Sequence, residues 1–408
     1  MKAKQENSGL EIALPPLFTP SFFWLLGAQF LQGLGYASMM LLPVYLAFLG
    51  ASRSEIGVVM GTAAVASLLS MPVVAWALDV LGRRLSLVLG TSLVALAMAS
   101  IYFVRDVGPE IYGVRLVFGL GAGIIFPGYF AFASDIIPAH RRTEGFAVFG
   151  IAGLLPLMVN PVSARLGIDP AGLRTFYPWL GGLVLLSLVL MLRVPESSRK
   201  AAPRSVFSGD LLRELCRRRL APVWLATVVF AGFFSVFAAF ATVAAEQRGI
   251  GAARDIWLSY ALAAVVVRLV GAKLPDKVGP SNIVAPALAS YATAMLLLAD
   301  ASTEMSFLAA GAFAGLGHGY CFPVLSAQVV SRIPDSMRGG GLTTFTALWS
   351  FASLIAAPSF GKVADLMGDC VMFCLSALVA VVALLPWCAL EHFWGKSEAL
   401  EHEPEAGA

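Results

Sequence analysis

Long runs of apolar residues, separated by short polar segments, dominate this chain from Phe22 almost to its C-terminus. At 1.5 Å per residue, a helical run of about 18 or more residues crosses a hydrocarbon layer of ~30 Å. Twelve runs are centred near residues 35, 66, 95, 123, 155, 184, 232, 265, 290, 318, 350 and 381. Barrel strands would be ~10 residues long and would alternate in polarity. The pattern therefore predicts an all-α membrane protein with twelve transmembrane helices.

Composition agrees with this prediction. Of the 408 residues, 58% are hydrophobic and 13% are charged, whereas a soluble domain has about 25% charged residues. The first twenty residues have no signal-peptide pattern, so we expect the first span to direct insertion. The five cysteines include no CxxC pair and predict neither a disulfide framework nor a metal site.

Positive charge is concentrated in alternate loops. These loops carry Arg83 and Arg84, Arg141 and Arg142, seven basic residues from Arg199 to Arg219, Lys273 and Lys277, and Arg332 and Arg338. The positive-inside rule assigns them to the cytoplasm. With twelve spans, both termini are then cytoplasmic, in a multi-pass cell-membrane protein. Orientation explains the basic loops, so we expect no nucleic-acid partner.

An internal repeat divides the chain into two halves. The 27 residues from Gly119, "GLGAGIIFPGYFAFASDIIPAHRRTEG", align with those from Gly315, "GLGHGYCFPVLSAQVVSRIPDSMRGGG", and eleven positions are identical. Span four therefore corresponds to span ten. The predicted organisation is an N-terminal six-helix half (1–194), a cytoplasmic linker (195–219), a C-terminal six-helix half (220–393) and a cytoplasmic tail (394–408). The linker is either a solvated connection or a basic face on anionic lipid.

A duplicated bundle suits alternating access, in which two half-units move against each other around a central site. The glycines at the start of each repeat allow helices to approach closely and slide, or serve packing alone.

Three motifs carry a resemblance to a known family. Residues 75–84, "AWALDVLGRR", are similar to the pattern G-x-x-x-D-x-x-G-R-R/K, with Ala75 in place of the first glycine. Residues 271–279, "GAKLPDKVG", are its partner in the second half, and "RLVFGLG", beginning at Arg115, is similar to R-x-x-x-G-x-G. The chain thus resembles the major facilitator superfamily, in its efflux-type branch, over nearly its whole length. The resemblance implies the major facilitator fold, with two pseudo-symmetric halves.

Charge at Asp79 has a physical explanation in this topology. Span eleven begins near Gly339, and a helix N-terminus favours an adjacent carboxylate by ~0.3–1 kcal/mol. The resemblance implies that this contact latches the cytoplasmic side shut, with Arg83 pairing Asp135. The alternative is that the arginines only hold the loop inside. The residues assigned to the latch are Asp79, Gly82, Arg83, Arg84, Asp135, Asp276 and Gly279.

Few side chains that can carry a charge lie at membrane depth. Placing a charge inside the bilayer costs free energy, so each of these side chains is a candidate for function. Arg115 lies near the outer end of span four, and the resemblance assigns that arginine to proton coupling in exporters. His318 is fourteen residues beyond Glu304, roughly 21 Å along span ten, and we expect it to face the cavity and bind a proton or the solute. The alternatives are a buried structural pair for Arg115 and hydrogen-bonded packing for His318. Arg268 is interpreted as snorkelling toward the inner surface.

Neutral polar and aromatic residues complete the candidate site and favour an amphipathic or neutral organic ligand over a strongly charged one. The substrate and coupling candidates are Arg115, His318, Gln29, Gln32, Tyr36, Asn160, Tyr320 and Trp349, with Thr242 and Gln328 as further hydrogen-bonding groups.

The sequence therefore predicts a monomeric secondary active transporter, with the bilayer and a small solute as partners. We expect it to export an organic compound in exchange for protons, with no cofactor. Span five lacks the glycine–proline pattern of proton-driven drug exporters, and span one lacks an acid. An uptake symporter, a facilitator and a non-transporting receptor or scaffold therefore remain alternatives. No nucleophile set, metal-ligand cluster or phosphate loop indicates an enzyme.

Overall fold

A computed structural model of the chain describes residues 16–138, 141–195, 209–271, 273–334 and 337–395. These residues form a bundle of long helices. We number the helices in chain order: α1 Pro20–Phe48, α2 Arg53–Val80, α3 Arg83–Phe103, α4 Pro109–Ile136, α5 Glu144–Arg165, α6 Leu173–Leu192, α7 Gly209–Leu215, α8 Arg218–Gln247, α9 Ile256–Val270, α10 Leu274–Val278, α11 Ser281–Ala299, α12 Glu304–Ser331, α13 Arg338–Met367 and α14 Asp369–Trp394.

Eleven of the helices in the described part are long and apolar enough to cross a membrane. The predicted span near residue 265 corresponds to α9, whose 15 residues give a length of only about 22 Å. The count of twelve spans therefore stays a prediction, while the all-helical membrane fold is confirmed.

Local sequence signals explain several helix boundaries. Ser52 and Glu55 form a reciprocal capping box at the start of α2, with the Ser52 amide donating to the Glu55 carboxylate at 2.8 Å. Proline interrupts two helices: α1 narrows to a 3-10 turn just before Pro43, and α5 does so around Pro156.

The two repeats pack in the same way. A Cβ at Gly119 of α4 would lie 2.1 Å from the carbonyl oxygen of Ala63 in α2, and one at Gly315 of α12 would lie 2.2 Å from that of Tyr260 in α9. Both distances are below any normal contact, so only glycine allows these backbones to approach. Helix α9 therefore packs on α12 in the second repeat in the same way as α2 packs on α4 in the first repeat.

Helices of the two predicted halves pack against each other at several places. Helix α2 packs along α13, α9 packs against α5, and α8 packs against α1. Gly57 of α2 allows the first contact, because a Cβ there would lie 2.4 Å from the carbonyl oxygen of Ala357. The predicted boundaries of the halves, linker and tail are not tested by these contacts, and residues 196–208 and 396–408 lie outside the described residues.

Candidate functional site

A cavity of about 130 Å³ lies between helices of the two predicted halves. Helices α1, α2 and α4 form one wall, and α8 and α13 form the other. Of the eight predicted substrate and coupling residues, Arg115, Tyr36 and Trp349 line it, together with Met60, Phe118, Phe234 and four serines, Ser67, Ser235, Ser350 and Ser353. The cavity is therefore small, largely apolar and supplied with hydroxyl groups, as is usual for organic ligands.

Arg115 is the charged group of the cavity wall and is only 4% exposed. Its Nε donates to the carbonyl oxygen of Val59 at 3.2 Å, and Nη2 donates to that of Met60 at 2.9 Å. The guanidinium lies 5.2 Å from the ring centre of Phe118. Its Nη1 is buried and has no hydrogen-bond partner among the described residues. The charge is thus fixed in position and keeps a free donor.

Tyr36 completes this wall of the cavity. Its ring stacks on Phe118 at 6.3 Å between centroids, and 45% of the residue is exposed although it lies in the middle of the bundle. Its exposure is therefore toward the cavity, where the phenol offers both a donor and an acceptor.

His318 lies in an aromatic cluster next to the cavity, and it is not a lining residue. Its ring is 5.3 Å from Phe230, 5.6 Å from Tyr260 and 6.2 Å from Trp349, between centroids. Its buried Nδ1 has no hydrogen-bond partner in the described part of the chain. The lining residues Phe234 and Trp349, whose ring centres are 5.5 and 6.2 Å from the His318 ring, therefore lie between the histidine and the cavity.

Phe126 and Phe322, which are equivalent in the two repeats, meet edge to face at 6.1 Å. Phe126 follows the cavity residue Ala122 by one turn of α4, on the side predicted to face the cytoplasm. Phe322 also contacts Trp349 at 6.0 Å. These rings therefore pack together beside the cavity, at the side predicted to face the cytoplasm.

Arg268 and Tyr320 do not line the cavity; Arg268 contacts the other predicted half, and Tyr320 packs against Gly271. Arg268 is half-buried, and its Nη1 would be 2.6 Å from a Cβ at Gly150 of α5, in the other half. The hydroxyl of Tyr320 would be 2.2 Å from a Cβ at Gly271. Arg268 thus reaches across the interface instead of only snorkelling to the surface.

The remaining polar candidates mostly join helices. The amide nitrogen of Asn160 donates to the carbonyl oxygens of Ala37 and Leu157, at 3.3 and 3.0 Å. Thr242 accepts from Trp257 at 2.9 Å, and Gln328 donates to Ser281 at 3.2 Å. Gln29 and Gln32 do not line the cavity either; Gln32 is buried, and the side-chain oxygen of Gln29 has no hydrogen-bond partner among the described residues.

The predicted latch region is described in part. Arg83 forms an ion pair with Asp135 and donates to the carbonyl oxygen of Ala131 at 2.8 Å. Arg84 donates to the carbonyl oxygen of Val194 at 2.5 Å. Gly82 and Gly279 have φ angles of +88° and +89°, which favour glycine. The side chains of Asp79 and Asp276 lie outside the described residues, so the contact with α13 stays a prediction.

Two charged clusters lie at the end of the bundle opposite the latch region, the end predicted to face outside. They join helices of the two predicted halves, and their residues are not among the predicted site residues. In the Arg53 cluster, Arg53 binds both carboxylate oxygens of Asp369, at 2.9 and 2.6 Å, and donates to Gln247 at 2.6 Å. The Arg53 and Ser54 amides donate to Asp365 at 2.7 and 2.9 Å.

The second outer cluster, the Arg254 cluster, connects α5 with the α8–α9 loop. Arg254 donates to Glu246 at 3.0 Å, to Ser163 at 3.0 Å and to the carbonyl oxygen of Ile168 at 2.7 Å. Arg165 pairs with Asp255 at 2.9 Å. Both clusters join helices of the two predicted halves at the end of the bundle that is predicted to face outside. The sequence does carry a signal for these clusters. Their arginines lie in loops predicted to face outside, where the positive-inside rule gives no reason for a basic residue.

Helices long and apolar enough to cross a membrane enclose a largely apolar cavity that carries hydroxyl groups. This arrangement indicates a membrane protein with a binding site for a small organic molecule. The family model described as Major Facilitator Superfamily matches residues 25–357. The chain belongs to this superfamily.

Sequence relatives agree. An uncharacterized MFS-type transporter of Methanocaldococcus jannaschii is 23% identical over 372 residues, which cover 88% of this chain and 94% of that protein. The uncharacterized MFS-type transporter YhhS of Escherichia coli (strain K12) is 26% identical over 299 residues, 72% of this chain and 70% of YhhS.

Solved structures share the fold. The nucleoside transporter NupG, in the form of a point mutant, has a TM-score of 0.76 at 13% identity, over 91% of this chain and 99% of NupG. The human organic anion transporter MFSD10 has a TM-score of 0.70 at 18% identity, over 92% of this chain and all of the other. The predicted family, membrane location and transport role are confirmed at this level.

Proposed function

We propose that the chain is a monomeric secondary active transporter that exports a small amphipathic organic solute in exchange for protons. The observation that carries the proposal is the cavity, which helices of both predicted halves line. In the proposed mechanism the two outer clusters hold its outer end closed. A site of this kind opens to one side or the other when the halves rock. The proposed location is the cell membrane, with both termini in the cytoplasm.

The solute fits the chemistry of the lining. The apolar and polarizable surface comes from three methionines and three aromatic residues, Met39, Met40, Met60, Phe118, Phe234 and Trp349. The serines and Tyr36 offer hydrogen bonds. Methionine side chains adapt to irregular ligands. An amphipathic molecule would use both parts of this surface.

Proton coupling is assigned to His318 and Arg115. Histidine is the side chain that changes charge near neutral pH, and His318 is one aromatic ring away from the cavity through Trp349. Arg115 keeps its charge and would respond to that change by repulsion between cations. The proposal requires solute and proton to bind alternately.

Alternating access is tested by distances at the two ends of the bundle. In a cysteine-free background, one pair of spin labels replaces Leu166 and Gly251 at the outer end, and another replaces Leu81 and Gly339 at the inner end; all four residues are exposed. We expect the two distances to change in opposite directions between pH 8 and pH 5. Distances that stay fixed, or that increase together, would favour a receptor or scaffold.

Coupling and direction are tested by uptake into proteoliposomes, with a mixture of small aromatic and aliphatic carboxylates, amides and amines quantified by mass spectrometry. Exchange against protons predicts accumulation when the lumen is acidic, because protons leave as solute enters. Accumulation only with an alkaline lumen would indicate a symporter, and equilibration without a gradient effect would indicate a facilitator.

A further inference from the structure

Arg115 carries a positive charge that the cavity does not neutralise. Arginine stays protonated in proteins, and a buried ion is costly unless a counter-charge or hydrogen bonds compensate it. The two backbone carbonyl oxygens and the Phe118 ring supply partial negative charge only. The guanidinium therefore retains a net charge beside the cavity, and its buried Nη1 donor has no hydrogen-bond partner among the described residues.

The helices around the cavity contain no acid that could serve as its partner. The sequence has no Asp or Glu in residues 20–48, 56–78, 111–134, 215–245 or 339–364, which make up the membrane portions of all five lining helices. The acids of the Arg53 and Arg254 clusters lie at the outer surface and are engaged by other arginines. Within the described residues, the counter-charge for Arg115 has to come from a molecule in the cavity.

We propose, on the basis of the transport function proposed above, that the solute carries one negative charge and that its anionic group, a carboxylate, binds Nη1 of Arg115. Such a hydrogen bond is charge-assisted and stronger than one between neutral groups. Nε and Nη2 are held by α2, so Nη1 is the donor that remains for a solute.

The wall formed by α8 and α13 determines what the remainder of the solute can be. Phe234 of α8 and Trp349 of α13 face Arg115 across the cavity, with Ser350 and Ser353 beside them. A carboxylate on the Arg115 side therefore places an aromatic or aliphatic body against the C-terminal half. Binding of one molecule then connects the two halves, which couples occupancy of the cavity to their relative position.

The test uses pairs of probes that differ in charge and hardly in shape: benzoate and benzamide, phenylacetate and phenylacetamide, hexanoate and hexanamide. Purified full-length protein is titrated with each, and the rise in melting temperature gives an apparent Kd, because a ligand of the native state raises stability. At least one carboxylate should bind about tenfold or more tightly than its amide, the loss expected for one hydrogen bond to a charged group.

Variants locate the effect. In Arg115→Gln the preference for the carboxylate should disappear, whereas Arg115→Lys keeps the charge and should keep part of the preference. Arg193→Gln is the control, since Arg193 is exposed at the end of α6 and stacks over Trp24; it should behave as the parent protein does. Chloride at the same concentrations tests whether any small anion suffices.

Several results would overturn the proposal: amides that bind as tightly as carboxylates, no stabilisation by any carboxylate, a preference that persists in Arg115→Gln, or chloride that accounts for the whole shift. If Arg115→Gln does not fold, the comparison of carboxylate with amide in the parent protein and in Arg115→Lys still decides. If the carboxylate proposal fails, the transport proposal still stands, provided that the spin-label distances and the uptake of neutral solutes support it. Fixed distances would instead refute transport itself.

Discussion

Removing the Asp369 charge should open the outer end of the transporter more often. The Asp369 carboxylate accepts two hydrogen bonds from Arg53, at 2.9 and 2.6 Å, and the pair joins α14 of one half to α2 of the other. The side chains of Arg53 and Asp369 are 9% and 19% exposed, respectively. Asp369→Asn keeps the shape but removes the charge and one of the two acceptors.

The expected change in the open population follows from the hydration of Arg53 and Asp369 in the closed and open states. With the outer end closed, the contact is largely shielded from water; with it open, both groups would be hydrated. A hydrogen bond to a charged group contributes about 1.5–3 kcal/mol. Asparagine retains one acceptor and Arg53 retains Gln247, so we take the lower value, about 1.5 kcal/mol, which corresponds to roughly a tenfold rise in the population of the open state.

Cysteine labelling measures that population. In a cysteine-free background, Ser350→Cys places one thiol in the cavity wall, and a membrane-impermeant maleimide is added to intact cells. Asp369→Asn should raise the labelling rate about tenfold, in proportion to the open population. Asp300→Asn, at an exposed carboxylate on the same predicted side, is the control and should leave the rate unchanged. Equal rates in Asp369→Asn and in the parent would refute the role of the Arg53 cluster as an outer closure.

Three further outcomes are expected. Gly119→Ala and Gly315→Ala should each lower the melting temperature, because the new Cβ would meet a backbone oxygen at 2.1 or 2.2 Å and overpacking costs about 1–3 kcal/mol; Gly182→Ala, which has open space, is the control and should not. His318→Gln should flatten the dependence of proteoliposome transport on an imposed pH gradient while leaving binding partly intact; an unchanged response would reduce His318 to packing. Asp79→Asn should speed labelling of a thiol on the cytoplasmic side of the cavity, and an unchanged rate would count against the latch.

Some contacts of the charged residues can be predicted from short sequence motifs. Others depend on the packing of parts of the chain that are distant in sequence. Arg83 and Asp135 belong to motifs with fixed places in the topology, and the structure brings them together. Arg53 and Asp369 are 316 residues apart, and neither lies in a motif. Their pairing depends on how the two halves meet.

The sequence by itself determined the helical membrane architecture, the duplication and the family, because apolar run length, a repeat and local loop motifs are all properties of contiguous residues. Tertiary structure alone decided which polar residues reach the cavity. A soluble helix shows its buried face through amphipathic spacing, but a membrane helix is apolar toward lipid and toward its neighbours alike. Packing between helices therefore sets the rotation of each helix. This rotation places Arg115 and Tyr36 in the cavity wall, encloses His318 in aromatic rings and turns Asn160 toward α1.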